Sequence, residues 1–156
     1  LYKGTLDCFK VWKDEGSINL NQFPNEIWID NLDEFAIHYL IKVNNQLVAS
    51  ARLTLHTSFD DNSRDVQLWK NVGKDLPLPT TDLGRLVVLK EYRGKGFAKL
   101  LNEIRINKAR EIGAKSIMVT ASEGNKVILC RNFGFEDIGE RVYFDDRPNT
   151  LFYALQ

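Results

Sequence analysis

The sequence predicts a mixed α/β fold, and three observations predict it. Two strand-like runs, Phe35 to Val43 and Gln46 to His56, flank Asn44-Asn45, a pair that tolerates the positive φ of a tight hairpin turn. An apolar run ending at Leu89 passes through a basic, glycine-interrupted turn straight into an amphipathic helix. Two aromatic-rich runs near the C-terminus, Phe135 to Phe144 and Thr150 to Leu155, read as a closing hairpin across Asp145 to Asn149. The expected sheet is therefore mixed and antiparallel at its ends.

In chain order, Leu6, Phe9, Lys10 and Lys13 alternate faces at helical spacing through Val11-Trp12, predicting a short amphipathic helix that ends near Gly16. The first hairpin follows. Ser58 to Pro79 is polar, carries Asp60-Asp61-Asn62-Ser63, Trp69, Pro77 and Pro79, and reads as a long functional connection. Asp82 to Leu89 is the next strand. The helix after it places Phe97, Leu100, Leu101, Ile104, Ala109 and Ile112 on an apolar stripe and stops at Gly113. Ser116 to Thr120 is a strand, Asn125 to Asn132 a short helix, and Phe133-Gly134-Phe135 turns the chain into the closing hairpin.

At 156 residues the chain is read as one domain, 1–156, able to bury a real core. Lys plus Arg and Asp plus Glu are 21 each, so the formal charge is zero and no global field recruits nucleic acid or an acidic membrane. Cys8 and Cys130 lie far apart and form no Cys-x-x-Cys pair, which argues against a metal site or a disulfide framework and for a reducing, cytoplasmic setting. No apolar run has the length of a membrane span, and no leader segment is expected.

The most informative stretch is Leu86 to Leu101. Gly94 and Gly96 allow a tight turn that exposes successive N–H groups, and the helix starting there adds unpaired amides and the positive end of its dipole. Arg93 and Lys95 add full charges. The stretch reads as an anion site, suited to phosphate oxygens; its other reading is a basic surface turn between strand and helix. A dinucleotide fingerprint would require glycine where Lys99 stands, and a Walker loop would require Ser or Thr after Gly-Lys, so the spacing excludes both.

Arg93-x-x-Gly96-x-Ala98 after Leu86-x-Val88 resembles the pyrophosphate loop of the GNAT superfamily of acyl-CoA-dependent N-acyltransferases. The order of elements is similar to the GNAT fold too, although that family's first strand is not evident before Leu6. Asp33-Glu34-Phe35-x-x-His38, Ala51-Arg52-Leu53 and Leu83-Gly84-Arg85-Leu86-Val87-Val88 look like its small-molecule branch, which includes ElaA-type proteins and the acyl-homoserine-lactone and N-acyl amino acid synthases. The resemblance implies that Arg93, Gly94, Lys95, Gly96, Phe97 and Ala98 hold the coenzyme A pyrophosphate. It implies that Val87, Val88 and Leu89 lend main-chain groups to the pantetheine arm and the thioester oxygen. Asn125 stands near the family's asparagine after the following strand and is carried over as a coenzyme contact.

Acyl transfer to an amine requires a neutral amine, a polarised carbonyl and a proton for the thiolate. Asp82, near the start of the central strand, is the candidate base, and Glu26, Asp33 and Glu34 are further ones. Many family members carry a tyrosine as the acid four residues before the glycine of the Gly-Phe pair; Cys130 stands there, and a thiol can donate to a thiolate. Its other reading is an inert buried cysteine, with Tyr143 or water as the acid. Arg85 and Arg52 interrupt apolar strands and either bind a substrate carboxylate bidentately or pair with acids of the protein. Trp12, Trp28, Trp69 and Phe59 roof the amine pocket or fill core.

The expected activity is transfer of an acetyl or short acyl group from acetyl-CoA to a primary amine of a small molecule. Protein N-termini or lysines, a carrier-fed longer acyl chain, and a catalytically silent coenzyme A sensor are the alternatives. The C-terminal aromatic hairpin is where two chains would pair as a homodimer.

Overall fold

The computed structural model describes residues 9–14, 16, 18–60, 64–72, 75–144 and 147–155. Helix α1 covers residues 9–14, and the Gly16 N–H closes onto the Lys13 carbonyl at 2.9 Å. The strands are β1 (Ile37–Val43), β2 (Gln46–His56), β3 (Thr80–Val88), β4 (Ser116–Ala121), β5 (Glu136–Phe144) and β6 (Arg147–Leu155). Three longer helices intervene: α2 (Arg64–Val72), α3 (Phe97–Glu111) and α4 (Glu123–Phe133).

The six strands form one sheet in the order β1-β2-β3-β4-β6-β5, antiparallel except for the β3–β4 pair. Successive strand residues face opposite sides, which separates two cores. Leu53, Leu83, Ile117 and Val119 face α3 and α4, packing with Ile106, Ala109, Leu129 and Phe135. Met118, between Ile117 and Val119, faces the other side and packs with Val66 and Trp69 of α2 and with Tyr153. On that side Val11 of α1 covers Val48, Val87 and Leu89.

Several sequence expectations shift. Ser58 to Pro79 holds α2, so the expected loop is shorter on both sides of a helix. Phe35 lies in a turn, its N–H on the Leu32 carbonyl and its ring 76% exposed, so β1 begins at Ile37. The buried stripe of α3 is rotated: Leu101, Asn102, Arg105, Ile106 and Ala109 are inside, while Leu100 and Ile104 are 44% and 40% exposed. Helix α4 extends the expected Asn125 to Asn132 by two residues at its start and one at its end. β6 begins at Arg147, so the closing loop is shorter than Asp145 to Asn149. The start of the first helix, Cys8 and any strand before Leu6 lie outside the described residues, as do the side chains of Tyr143, Phe144 and Phe152.

Candidate active site

The sheet forks. β3 pairs with β4 only over Thr80, Thr81 and Asp82 against Ser116, Ile117 and Met118. Beyond Asp82, β3 keeps β2 on one edge, and among the described residues no strand lies on the other. The Leu89 N–H donates to the Val48 carbonyl at 2.9 Å, so Leu89 and Val87 bond toward β2 and Val88 between them turns its N–H and C=O to the open edge. Arg93 reaches the Val88 carbonyl from that side, with Nε at 3.2 Å.

A β-bulge sits where the fork opens. Ser50 pairs with Val87 and Arg52 with Gly84, so Arg85 and Leu86 together oppose Ala51. Arg85 takes φ +52°, a left-handed conformation that costs a non-glycine residue of the order of 1–3 kcal/mol. Gly84 is closely packed: a Cβ there would lie 3.1 Å from Asp82 Oδ2, which would have to give by a few tenths of an ångström, and at ordinary contact distance, 3.8 Å, from Arg52 Nε.

At the far end of β3, Arg93, Gly94, Lys95 and Gly96 are all exposed, with Gly94 at φ +74° and Gly96 at φ +85°. The first helical bond of α3 is Leu100 N–H to the Gly96 carbonyl, no side chain caps Gly96, and the first turn has no acid. The amides of Phe97, Ala98 and Lys99 therefore precede any intrahelical acceptor, as the loop reading requires. Lys95 Nζ lies 4.7 Å over the Tyr92 ring, and Tyr92 packs against Phe97. The cradle is open, and its donors suit a diphosphate.

Arg52 and Arg85 are brought together with Asp82, and both are engaged by loop acids. Arg52 Nη1 donates to Asp30 Oδ1 and to Asp33 Oδ1, each at 2.9 Å. Arg85 Nη2 donates to Asp30 Oδ2 at 2.7 Å, and its Nη1 to both Asp33 oxygens at 3.0 Å and to the Trp28 carbonyl at 3.1 Å. The Arg85 guanidinium lies 4.5 Å from the Trp28 ring centroid, and Trp28 meets Trp12 edge-on and Phe23 at a tilt. Asp33 is 1% exposed, whereas the Asp30 carboxylate is 37% exposed and is the cluster's face to solvent.

Asp82 is buried at the fork between Thr54 of β2 and Met118 of β4. Among the described residues nothing reaches three buried donors nearby or across that core, Arg52 Nε, Thr54 Oγ1 and Trp69 Nε1. Buried polar atoms left so cost about 1–3 kcal/mol each, and the Asp82 Oδ2 acceptor lies among these donors. Cys130 is half-buried against the α3–α4 core and is in no disulfide. Asn125, near the start of α4, accepts from Asn102 Nδ2 at 3.0 Å. Of the other acids, Glu34 is exposed and Glu26 is exposed and pairs with Lys13. Trp69 and Phe59 pack in the α2 core, and Trp12 and Trp28 belong to the aromatic group beside Arg85.

Burial would push the Asp33 carboxyl up, but the Asp30 N–H and the guanidinia of Arg85 and Arg52 outweigh it and hold the group below 3.8. Burial pushes His38 below 6.5, more than Asp33 draws it up, and the His38 Nδ1 has no partner among the described residues. Both shifts act in one direction. A histidine held neutral by folding binds fewer protons than its unfolded form, so stability falls as pH drops through 6.5 toward the folded value. Asp33 contributes fully above 3.8, and its share is lost as pH falls through its still lower folded value. The melting temperature should therefore decline between pH 7 and 5, and His38→Gln should flatten that part of the curve; an unchanged slope in thermal melts at stepped pH would contradict the His38 assignment.

Asp30, Asn102 and Arg105 were not picked out from sequence. Arg105 is fully buried, with Nη1 on the carbonyls of Arg52 (3.0 Å) and Gly84 (3.1 Å), Nη2 on Asn102 Oδ1 (2.7 Å) and Nε on the Leu101 carbonyl (3.1 Å). Burial lowers it to about 10, against the pull of Asp82, so it stays a cation at neutral pH. A charge set between Leu101 and Ile106 on a helix is the trace it leaves in the sequence.

The chain belongs to the Acetyltransferase (GNAT) family, whose model matches residues 1–135. It is thus an acyl-CoA-dependent acyltransferase. The fold is similar to that of BjaI, a CoA-dependent acyl-homoserine lactone synthase solved with SAM and isopentyl-CoA, at TM-score 0.72 and 12% identity over 97% of this chain and 76% of that one. It is similar to Escherichia coli ElaA at TM-score 0.57 and 17% identity, covering 95% and 84%, and to FeeM, an N-acyl amino acid synthase from uncultured soil microbes, at 0.60 and 12%, covering 96% and 89%. No curated protein matches the sequence. Among the described residues no helix is long and apolar enough to cross a membrane, and no cluster of three His, Cys, Asp or Glu could hold a metal ion.

Proposed function

We propose that the chain moves an acyl group, acetyl from acetyl-CoA in the simplest case, directly to the primary amine of a small molecule. The fork at Asp82 carries this reading. It leaves one edge of β3 open over residues 83–88, in line with an uncapped helix start, so main-chain donors run from a diphosphate cradle to the bulge. In this reading Arg93 to Ala98 hold the diphosphate, Val87, Val88 and Leu89 align the arm, and the Val88 N–H faces the thioester oxygen. Asn125 contacts the coenzyme, Asp82 takes the amine proton directly or through water, and Cys130 or water returns one to the thiolate.

The acceptor enters on the other side of the bulge. Carboxylates and guanidinia are balanced there, with Asp30 outermost, so the cluster suits a compound bearing both an ammonium and a carboxylate, the ammonium meeting Asp30 and the carboxylate reaching the buried Arg85 or Arg52 by displacing Asp30 from it. The likeness to BjaI, solved with SAM, and to FeeM, an N-acyl amino acid synthase, supports an amino-acid-type acceptor. Thiol release measured with acyl-CoAs of increasing length against amino acids, alkyl amines and peptides is the test. Faster release with amino-acid-type amines is expected; faster release with peptides favours a protein acceptor, and coenzyme binding without release in any class favours a sensor.

A further inference from the structure

We infer that Arg105 is a positioning residue that holds the β3 bulge and thereby sets the alignment of donor and acceptor sites. This rests on the acyl-transfer reading above. A bulge breaks the ladder between two strands and leaves carbonyls that must find other partners. Here the Gly84 carbonyl, one residue before the strained Arg85, and the Arg52 carbonyl opposite it both accept from a single nitrogen, Arg105 Nη1.

The guanidinium is fixed from below as well. Its Nε bonds the Leu101 carbonyl one helical turn back, and its Nη2 bonds Asn102, whose amide continues to Asn125 on α4. One rigid fork thus ties α3, which starts at the diphosphate cradle, to the bulge that aims Arg85 at Asp30 and Asp33. Through Asn102 it also reaches α4, whose strand β4 forms the other arm of the fork. A lysine has three donors on a point charge and cannot reproduce the planar arrangement, and a methionine supplies none. With either, the Gly84 and Arg52 carbonyls lose their shared donor, and Arg85 loses what holds its left-handed backbone.

Displacement of a reacting group by about 1 Å can cost of the order of 100-fold in rate, while contacts remote from it persist. Arg105→Lys is therefore expected to lower kcat about 10- to 100-fold, with the KM for acyl-CoA and the Kd for coenzyme A within about threefold of the parent protein. Amide exchange over residues 84–88 should quicken relative to the rest of the sheet. Arg105→Met should show the same split; where it does not fold, Arg105→Lys decides alone. Unchanged kcat in Arg105→Lys, or kcat and coenzyme affinity falling together with the folded fraction, would overturn the assignment. The exchange measurement uses no substrate, so an inactive parent protein would defeat the acyl-transfer reading while unaltered exchange at 84–88 would separately defeat this one.

Discussion

Gly96→Asp should weaken coenzyme A binding about 100-fold or more, close to 3 kcal/mol, because it sets a carboxylate where the proposed reading puts the diphosphate. Space does not oppose the substitution: a Cβ at Gly96 meets nothing within 4 Å. The backbone does, since φ +85° is left-handed and costs a non-glycine residue about 1–2 kcal/mol. Gly96→Ala carries that strain without the charge and separates the two effects. Calorimetric titration of both variants with coenzyme A and with pantetheine, which lacks the diphosphate, reads the difference. Loss confined to coenzyme A and to the aspartate variant is expected; equal losses for both ligands, or none for either, would remove the diphosphate from this loop.

The loop was legible because its chemistry is local. Gly94 and Gly96, the adjoining cations and the helix that follows occupy a short stretch, and each makes its demand within a residue or two. β2 was legible to the residue for a similar reason, since the Asn44-Asn45 turn fixes where it starts. What escaped depends on distant partners. α2 is nine residues long and sends Val66 and Trp69 inward, and the core they fill is supplied by Met118 and Tyr153. On α3, Leu100 and Ile104 outrank Asn102 and Arg105 in hydropathy, yet the polar pair is inside, Arg105 on the carbonyls of Gly84 and Arg52 and Asn102 between Arg105 and Asn125. Arg52 and Arg85 stood out as charges in apolar strands, but Asp30, three residues before Asp33, meets them only through contacts more than 20 residues away in sequence.

Asp33 is where fold and candidate chemistry are most tightly joined, and Asp33→Ala should destabilise the protein by about 3–5 kcal/mol, the range for breaking a buried ion pair by removing one partner. The side chain is 1% exposed and bonds two guanidinia that are themselves buried, so its loss leaves Asp30 as the one loop carboxylate that Arg52 and Arg85 share among the described residues. Coulomb repulsion between the two arginines, now less compensated, opposes the close approach that the cluster imposes. Asp30→Ala should cost much less, about 1 kcal/mol, because its carboxylate is 37% exposed and water screens it. Urea denaturation of the two variants at pH 7 compares them directly. An Asp33→Ala penalty no larger than that of Asp30→Ala would mean that the buried pairing does not hold the segment before β1 against the sheet. Asp33→Asn keeps the shape and part of the hydrogen bonding, so it should fold well enough for kinetics and separate the two roles of the cluster. Coenzyme affinity should then persist while kcat/KM for the acceptor falls, since Asp33 fixes Arg85 on the side of the bulge proposed for the acceptor, and no bond joins it to the Arg93 to Ala98 loop among the described residues.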